Sequence, residues 1–425
     1  METSLQAHDS ILPSPSWKRR LQEAKGIILP WTRDRIPVIP RTLGTGRQEE
    51  RNMTVLPIQP FTEAIRDQRE RLQALASRGR KILGYFCTYT PVEMIHAAGF
   101  VPVRILGDGG RTVARAATLT PSFICPYLRQ ALEKALSGDY DFLAGVVQGY
   151  TCDAACGVIN IWELNVPAEL YHTVPLPYLD SPEARTFFRA ALTELAEKLN
   201  GIGGRLTDES LAVSLDLYAE IRRLMLGLYE RRSRGRLSLS AADFLAVIQA
   251  GLVTPPEEYL PMLRRLAAAG ETGVEGGKGQ GVPILISGSV IGETNVLEIL
   301  ERCGARVVGD DLCTGWRCFS PPAGEGADPI DRLMDRHFKR FPCPARMKSQ
   351  ERAPMIADLV HTCGAKGVVF MLQKFCTPHL ADLPVVLEAL QARGLRGLVV
   401  ELEETGLNEG QLRTKLETFL EMLRG

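Results

Sequence analysis

The stretch ILGYFCTYTPVEMIHAAG, residues 82–99, contains the features from which we predict the fold. It begins with a short apolar run, Ile82–Phe86, which predicts a buried strand. A loop containing Cys87 follows, and Pro91–Gly99 then has a proline near the first turn of a predicted helix and a glycine after its end. Strand, loop and helix in this order form the repeating unit of parallel sheets.

The same alternation continues after this stretch and returns near the end of the chain. Further predicted strands are Val101–Leu106, Phe142–Val147, Ile284–Ser287, Arg306–Val308, Gly367–Leu372 and Gly397–Leu402. Between the two groups, from Asp180 to about Gly270, leucines recur at helical spacing. The sequence therefore predicts an α/β fold with two parallel-sheet domains joined by a helical segment.

Domain boundaries are predicted where the composition changes. Residues 1–55 hold several prolines and no apolar period, which predicts a poorly ordered N-terminal arm, and Met53 is an alternative start for the translated chain. We predict an N-terminal α/β domain over residues 56–180. A helical bridge with a glycine-rich linker follows over residues 181–281, and a C-terminal α/β domain over residues 282–425.

Composition excludes several classes of protein. The 425 residues carry 50 Lys and Arg against 50 Asp and Glu, whereas a sequence-independent nucleic-acid binder needs a basic excess. No apolar run reaches the roughly 18 residues of a membrane-spanning helix. The N-terminus lacks a secretory pattern, so we expect a cytoplasmic protein. Its 10 cysteines then indicate thiols, metal ligands or redox chemistry in preference to disulfides.

Three cysteines lie where a parallel sheet binds ligands. Cys87, Cys125 and Cys376 each follow a predicted strand and precede a predicted helix. Amides at a helix N-terminus favour thiolates and would stabilise the charge of a reduced iron–sulfur cluster. Three thiolates on a [4Fe–4S] cluster leave one iron open to substrate. The alternative is that these cysteines only pack in the core, and no C-x-x-C pair is present.

Longer motifs resemble the 2-hydroxyacyl-CoA dehydratase family, which also includes benzoyl-CoA reductase subunits and double-cubane cluster proteins. The resemblance covers about residues 60–425. The motifs that carry it are GYFCTYTPVE at 84–93, AAGFVPVR at 97–104, CPYLR at 125–129, CD at 152–153, DDLCTG at 310–315, KFC at 374–376 and GQLRT at 410–414.

The resemblance implies a cofactor, a reaction and partners. Cys87, Cys125 and Cys376 would hold a [4Fe–4S] cluster between two Rossmann-like domains. One electron would reduce the thioester of an acyl-CoA substrate to a ketyl radical, the hydroxyl group would leave, and the electron would be returned. The implied partners are a homologous subunit or a second copy of this chain, and an ATP-hydrolysing iron–sulfur activator. The glycine-rich Gly276–Gly279 precedes a strand, so we interpret it as linker and not as a phosphate-binding loop.

The chain has more cysteines than one cubane needs. Cys152, Cys313 and Cys343 are candidate additional ligands, and the alternative cofactor is then an [8Fe–9S] double cubane in a reductase of small molecules. A benzoyl-CoA-reductase-like subunit and a non-catalytic partner subunit are two further functions that the sequence leaves open. Cys156 and Cys318 remain unassigned, whereas Cys303 and Cys363 precede glycines at predicted helix ends and are predicted to pack.

Ser289, Glu93 and His379 are weaker candidates for catalysis. Ser289 follows a predicted strand and would donate to a substrate carbonyl or to the open iron, unless it only caps a helix. Glu93 lies on a first helical turn, where it would also complement the helix dipole, and His379 is either a proton donor or structural. Arg104 and Arg129 would contact coenzyme A phosphates or the activator, unless they form surface salt bridges.

Overall fold

The computed structural model describes residues 56–107, 112–272, 281–292, 294–403 and 408–425. The predicted N-terminal arm and most of the glycine-rich linker lie outside the described residues. Within the described ranges, the strands form two four-stranded parallel sheets with order β2-β1-β3-β4 and β6-β5-β7-β8. The strands are β1 Ile82–Tyr85, β2 Val101–Arg104, β3 Leu143–Gly149, β4 Leu170–Val174, β5 Val282–Gly288, β6 Ala305–Asp311, β7 Gly367–Gln373 and β8 Arg396–Leu402.

Helices connect these strands and surround the sheets, which confirms the predicted α/β architecture. In the first part of the chain they are α1 Gln59–Arg66, α2 Gln68–Ser77, α3 Val92–Ala97, α4 Ala116–Leu119, α5 Pro126–Leu136, α6 Asp153–Asn165, α7 Pro182–Gly201 and α8 Asp208–Ser233. In the second part they are α9 Ala241–Val253, α10 Pro256–Thr272, α11 Asn295–Arg302, α12 Pro329–Phe338, α13 Ser349–Cys363, α14 Thr377–Gln391 and α15 Glu409–Arg424. Among the helices of the described ranges, none is long and apolar enough to cross a membrane.

Sequence analysis missed β4, an edge strand that pairs only with β3. Its sequence LYHTV has two polar residues among five, and its three central residues are only partly buried. A short strand of this kind lacks the continuous apolar run of a central strand, so periodicity does not distinguish it from a loop.

The strand order creates a crevice at the same place in each sheet. β1 and β3 are neighbours, with Tyr85 paired to Val147. After β1 the chain continues to β2 at one edge of the sheet, whereas after β3 it continues to β4 at the opposite edge. β5 and β7 have the same relationship, and Gly288 pairs with Met371. Ligands of open parallel sheets bind in the crevice that forms where strand order reverses. The loops after these four strands are therefore the expected ligand-binding loops.

Helix α8 contacts both sheets and holds them together. Leu211 and Leu215 on its first half pack in the core that contains Leu83 of β1. On its second half, the hydroxyl of Tyr229 donates a 2.6 Å hydrogen bond to the Asp310 carboxylate of β6. The helix begins with a capping box at Thr207, which satisfies amides of its first turn.

Candidate functional site

Loops that follow the first sheet contact loops that follow the second. The backbone N–H of Cys343 donates to the hydroxyl of Tyr89 at 3.3 Å, which joins the loop after β1 to a loop of the C-terminal half. Val290, just after β5, packs in the same core as Phe86 and Cys125. The carboxyl ends of the two sheets therefore contribute to one site.

Three cysteines of this site immediately precede helices, as predicted for Cys125 and Cys376, whereas Cys87 lies five residues before the start of α3 and does not cap it. Cys125 immediately precedes α5, Cys152 precedes α6 and Cys376 precedes α14. The first backbone N–H groups of a helix have no partner within the helix and carry partial positive charge. These positions are suited to thiolate groups.

Cys125 and Cys376 interact electrostatically with each other and with two further cysteines. Burial raises the pKa of Cys125 well above its ordinary value, and negative charge on Cys376, Cys152 or Cys313 raises it further. Burial raises the pKa of Cys376 to about 12, and charges on Cys313 and Cys152 contribute. Four sulfur atoms from both halves of the chain thus influence one another.

Cys87 is linked to this group through two other cysteines. The pKa of Cys152 is raised by burial and also by charge on Cys87. The pKa of Cys343 is raised mainly by its hydrogen bond to Cys313, and a smaller contribution comes from Cys87. We call the resulting group the thiol array: Cys87, Cys125, Cys152, Cys313, Cys343 and Cys376.

Cys313 differs electrostatically from the other members of the array. Its pKa is lowered to about 6, first because its thiolate accepts a hydrogen bond from Cys343. Burial opposes this shift, but the guanidinium groups of Arg317 and Arg104 lower the pKa as well. The site therefore favours negatively charged sulfur at Cys313.

A buried ion network supports Arg317. Its Nε lies 3.0 Å from Oδ1 of Asp311, and its Nη2 donates to the backbone oxygens of Gly288 and Asp311. Asp311 also binds Arg352, which in turn binds Asp382. The DDLCTG motif indicated Asp311, but no sequence pattern identified Arg317 or Arg352 as part of the site.

His379 lies between Cys376 and the end of β5. Its Nε2 is 2.9 Å from the backbone oxygen of Gly288, and its Nδ1 is 3.3 Å from Sγ of Cys376. Burial and the charges of Arg317 and Arg352 lower the pKa of His379 well below its ordinary value. The imidazole is therefore neutral. Its Nε2–H donates to Gly288, so its Nδ1 accepts from the Cys376 thiol.

The structure places the other predicted residues as follows. Ser289 is buried, and its hydroxyl oxygen accepts a 3.4 Å hydrogen bond from the backbone N–H of Gln373. Glu93 is also buried and forms an ion pair with Arg222 of α8. Arg104 is only 1% exposed, so the alternative that it forms a surface salt bridge is wrong.

A cavity of about 150 Å³ opens at the surface beside Cys125 and Cys376. Arg129, Lys374 and Phe375 are among its lining residues. Phe375 has φ of 63°, in the left-handed region that non-glycine residues rarely adopt. Strained residues of this kind are concentrated at functional sites.

The sulfur donors fit an iron–sulfur cofactor by their chemistry. All 10 cysteines are free thiols. Among the described residues, no group of three His, Cys, Asp or Glu side chains converges closely enough to hold a single metal ion. A multi-iron cluster is larger than one ion, so its thiolate ligands need not converge on one point. Such clusters are held by cysteine thiolates, which the array supplies.

Comparison with known proteins identifies the family of this chain. The family model described as 2-hydroxyglutaryl-CoA dehydratase, D-component, matches residues 87–423. The chain belongs to this family. The match begins at Cys87 and includes every member of the thiol array, so the family resemblance predicted from the motifs is confirmed.

Relatives within the family have different named activities. The chain is 29% identical to a benzoyl-CoA reductase subunit of Thauera aromatica, over 82% of this chain and 92% of the relative. It is 26% identical to the (R)-phenyllactyl-CoA dehydratase beta subunit of Clostridium sporogenes, over 83% and 94%. It is 25% identical to the putative dehydratase subunit YjiM of Escherichia coli, over 85% and 97%. The chain is thus similar to subunits of dehydratases and of a reductase.

Proposed function

We propose that this chain is the iron–sulfur component of an ATP-activator-dependent radical 2-hydroxyacyl-CoA dehydratase. The observation that carries the proposal is the thiol array, which combines cysteines from both sheets at the crevices where parallel sheets bind ligands. The names of relatives, which include lactoyl-CoA dehydratase subunit beta, support the reaction class.

In this proposal Cys87, Cys125 and Cys376 hold a [4Fe–4S] cluster. The bound cluster supplies single-electron chemistry at low potential. Helix N-termini at Cys125 and Cys376 stabilise the negative charge of the ligand sulfurs. His379 is a positioning residue, because its Nε2–H donates to the backbone oxygen of Gly288 and its Nδ1 lies 3.3 Å from Sγ of Cys376.

Ser289 is the proposed donor to the thioester carbonyl of the substrate. Its oxygen accepts from Gln373, and its O–H proton has no acceptor among the described residues. Its backbone oxygen accepts from the N–H of Cys313, which holds Ser289 beside the array. A hydroxyl donor at this place would stabilise negative charge that develops on the substrate oxygen. Glu93 instead serves to hold Arg222.

The proposed partners are a homologous subunit or a second copy of this chain, together with the ATP-hydrolysing activator. Relatives are named as subunits, which supports a multi-subunit assembly. Large apolar side chains near the thiol array are exposed, including Phe123 at 65% and Phe375 at 41%. Exposed aromatic side chains of this kind are typical of interfaces.

Iron and activity measurements on anaerobically purified protein test the proposal. We expect about four irons per chain, and dehydration of a 2-hydroxyacyl-CoA when partner subunit, reduced activator and ATP are supplied. Cys125→Ser and Cys376→Ser should lose iron and activity, whereas Cys303→Ser should keep both. No turnover across a broad panel of 2-hydroxyacyl-CoA substrates, with the cluster intact, would contradict the proposal.

A double-cubane reductase is the second candidate, and the size of the array favours it. Cys152 and Cys313 interact electrostatically with Cys125 and Cys376, and Cys343 interacts with Cys87 and Cys313. An [8Fe–9S] cofactor predicts about eight irons per chain and loss of iron on Cys343→Ser. About four irons, unchanged by Cys343→Ser, would exclude this candidate.

A non-catalytic subunit would instead show unchanged activity of the assembly on Cys87→Ala.

A further inference from the structure

A second cavity, of about 60 Å³, lies beneath the loop that follows Cys87. Thr88 and Cys318 line it on the side of the thiol array, and Tyr218 of α8 lines another wall. The charged side chains in its lining are four arginines and one glutamate: Arg104, Arg222, Arg336, Arg340 and Glu93. We call this space the arginine cavity.

Positive charge exceeds negative charge by three in the lining of the arginine cavity. Glu93 is ion-paired with Arg222, and its Oε1 lies 3.9 Å from Nη1 of Arg336. Arg336 also donates to the backbone oxygens of Pro321 and Cys318. The single carboxylate is therefore already shared by two of the four guanidinium groups.

The other two guanidinium groups have no carboxylate partner among the described residues. Arg104 is 1% exposed, and within the part of the chain that the structure describes its Nε and Nη1 have no hydrogen-bond partner. Arg340 is 8% exposed and lies over the ring of Tyr89, with no hydrogen bond or ion pair to any described residue. A buried charge without a partner is costly, and hydrogen-bonding groups in protein interiors are rarely left unsatisfied.

The crowding of like charges has a visible electrostatic effect. Burial lowers the pKa of Arg336 well below its ordinary value, and the neighbouring Arg222 and Arg340 lower it further. Burial and the charge of Arg222 also lower the pKa of Arg340. An anion among these groups would offset the repulsion between the guanidinium groups.

We propose that the arginine cavity binds a small oxyanion, either a carboxylate or an inorganic oxyanion. Guanidinium groups bind such anions through paired N–H donors, and Arg104 and Arg340 have these donors to offer. The volume admits a group of a few atoms and is too small for coenzyme A. Thr88, the residue after Cys87, lines the cavity, so the anion would bind next to the loop that carries Cys87.

Oxyanion binding itself does not depend on the proposed function, but a role of the cavity in substrate selection rests on that function. If the anion is a carboxylate, the cavity selects substrates that carry a carboxylate besides the reacting group. If it is an inorganic oxyanion, the cavity holds a structural or regulatory ion. The competing explanation is that the arginines only balance the charge of the array, in which case added anions do not bind.

Isothermal titration calorimetry on the anaerobic, cluster-loaded protein tests the proposal. Sodium acetate and sodium phosphate are titrated separately, with sodium chloride at matched ionic strength as the reference. We expect saturable binding of at least one oxyanion beyond the chloride response. Tighter binding of acetate identifies a carboxylate site, and tighter binding of phosphate identifies an inorganic oxyanion site. Absence of saturable binding by both overturns the proposal.

Variants locate the binding to the cavity. Arg340→Gln should weaken oxyanion binding at least tenfold, and Arg340→Lys, which keeps the charge, should weaken it less. Arg413→Gln, at an exposed arginine paired with Glu417, should bind as the unaltered protein does. Glu93→Gln removes the competing carboxylate and should tighten binding, which provides a test of opposite sign if the arginine variants do not fold. Unchanged affinity in Arg340→Gln, or in Glu93→Gln if the arginine variants do not fold, overturns the proposal.

Discussion

The hydroxyl of Tyr89 accepts a hydrogen bond from the backbone N–H of Cys343, 254 residues later in the chain. Tyr89 lies two residues after Cys87, so this bond connects array cysteines from the two halves. The Tyr89 ring also packs edge-on against His337 and lies beneath the guanidinium of Arg340. One side chain therefore connects two of the sulfur-bearing loops and lies against Arg340, which lines the arginine cavity.

Tyr89→Phe should loosen the Cys343 loop without disturbing the core. The variant keeps the ring and loses one buried hydrogen bond, which is expected to cost about 1 kcal/mol in the free energy of unfolding. Cys343 should then be alkylated faster by iodoacetamide in the cluster-free protein. Unaltered alkylation of Cys343, measured by mass spectrometry of its peptide, would show that the bond does not hold the loop. Tyr150→Phe, whose hydroxyl bonds only Asp153 at the surface, is the matched control.

Asp311→Asn should destabilise the protein strongly. Asp311 is fully buried and is the shared partner of Arg317 and Arg352, so its neutralisation leaves two buried guanidinium groups short of counter-charge. Breaking a buried ion pair by removing one partner costs about 3–5 kcal/mol. Asp358→Asn, which breaks a partly exposed pair with Arg393, should cost less than about 1 kcal/mol. Chemical denaturation of the two variants gives the comparison, and equal losses would contradict it.

Two glycine-to-alanine substitutions should have opposite effects on stability. A Cβ atom at Gly288, at the end of β5, would lie 2.0 Å from the backbone oxygen of Met371, so Gly288→Ala forces neighbouring strands apart. Overpacking of this kind typically costs about 1–3 kcal/mol. Gly157, in helix α6, has open space around its Cβ position, and Gly157→Ala should stabilise by about 0.5–1 kcal/mol. Thermal unfolding measures both, and the prediction fails if the two shifts have the same sign.

His337 should make stability depend on pH below about 6.5. Burial lowers the pKa of its imidazole well below the ordinary value. The neighbouring guanidinium groups of Arg340, Arg346 and Arg336 lower this pKa further. The folded protein thus keeps His337 neutral at a pH where the unfolded chain protonates it. Stability is therefore fully present above the unfolded pKa and falls, by at most about 1.4 kcal/mol per pH unit, as the pH drops below it.

His337→Gln removes this titration and should make the fall in stability between pH 6.5 and pH 5 less steep than in the unaltered protein, while His379, whose pKa is also lowered, keeps part of the slope. His361→Gln, at an exposed histidine, serves as the control and should leave the slope in place. Urea unfolding at a series of pH values provides the slopes. Identical slopes in His337→Gln and the unaltered protein would assign the pH dependence to other groups.

Residues 82–99 predicted the strand–loop–helix unit correctly because the signals there are local: an apolar run, a proline at the helix start and a glycine at its end. Phe61–Arg80 is rich in Glu, Gln, Arg, Leu and Ala, and this sequence predicts one charged amphipathic helix. The structure instead has two helices, α1 and α2, which are separated at Asp67. The amphipathic spacing of a helix continues across a break of one residue, so the sequence pattern does not reveal the break at Asp67.

The candidate site was predictable in part for a similar reason. Cysteines after strands were expected to share a crevice, because the carboxyl ends of parallel strands lie at one edge. The arginine cavity was not predicted, because its charged side chains come from β2, α3, α8, α12 and the residue at position 340, which are distant in sequence. Arg222 lies on α8, which the sequence predicted only as part of the helical bridge between the two α/β domains. Which charges meet in the interior is decided by tertiary packing, which leaves no local pattern.

The cysteines of the thiol array are spread from position 87 to position 376, after both the first strand and the seventh. During translation, an emerging chain therefore lacks part of the array until nearly nine-tenths of the protein has been made. Any inorganic cofactor that uses cysteines from both ends must be inserted after synthesis, into an almost complete molecule. Once inserted, it would act as a cross-link between segments as far apart in the chain as positions 87 and 376.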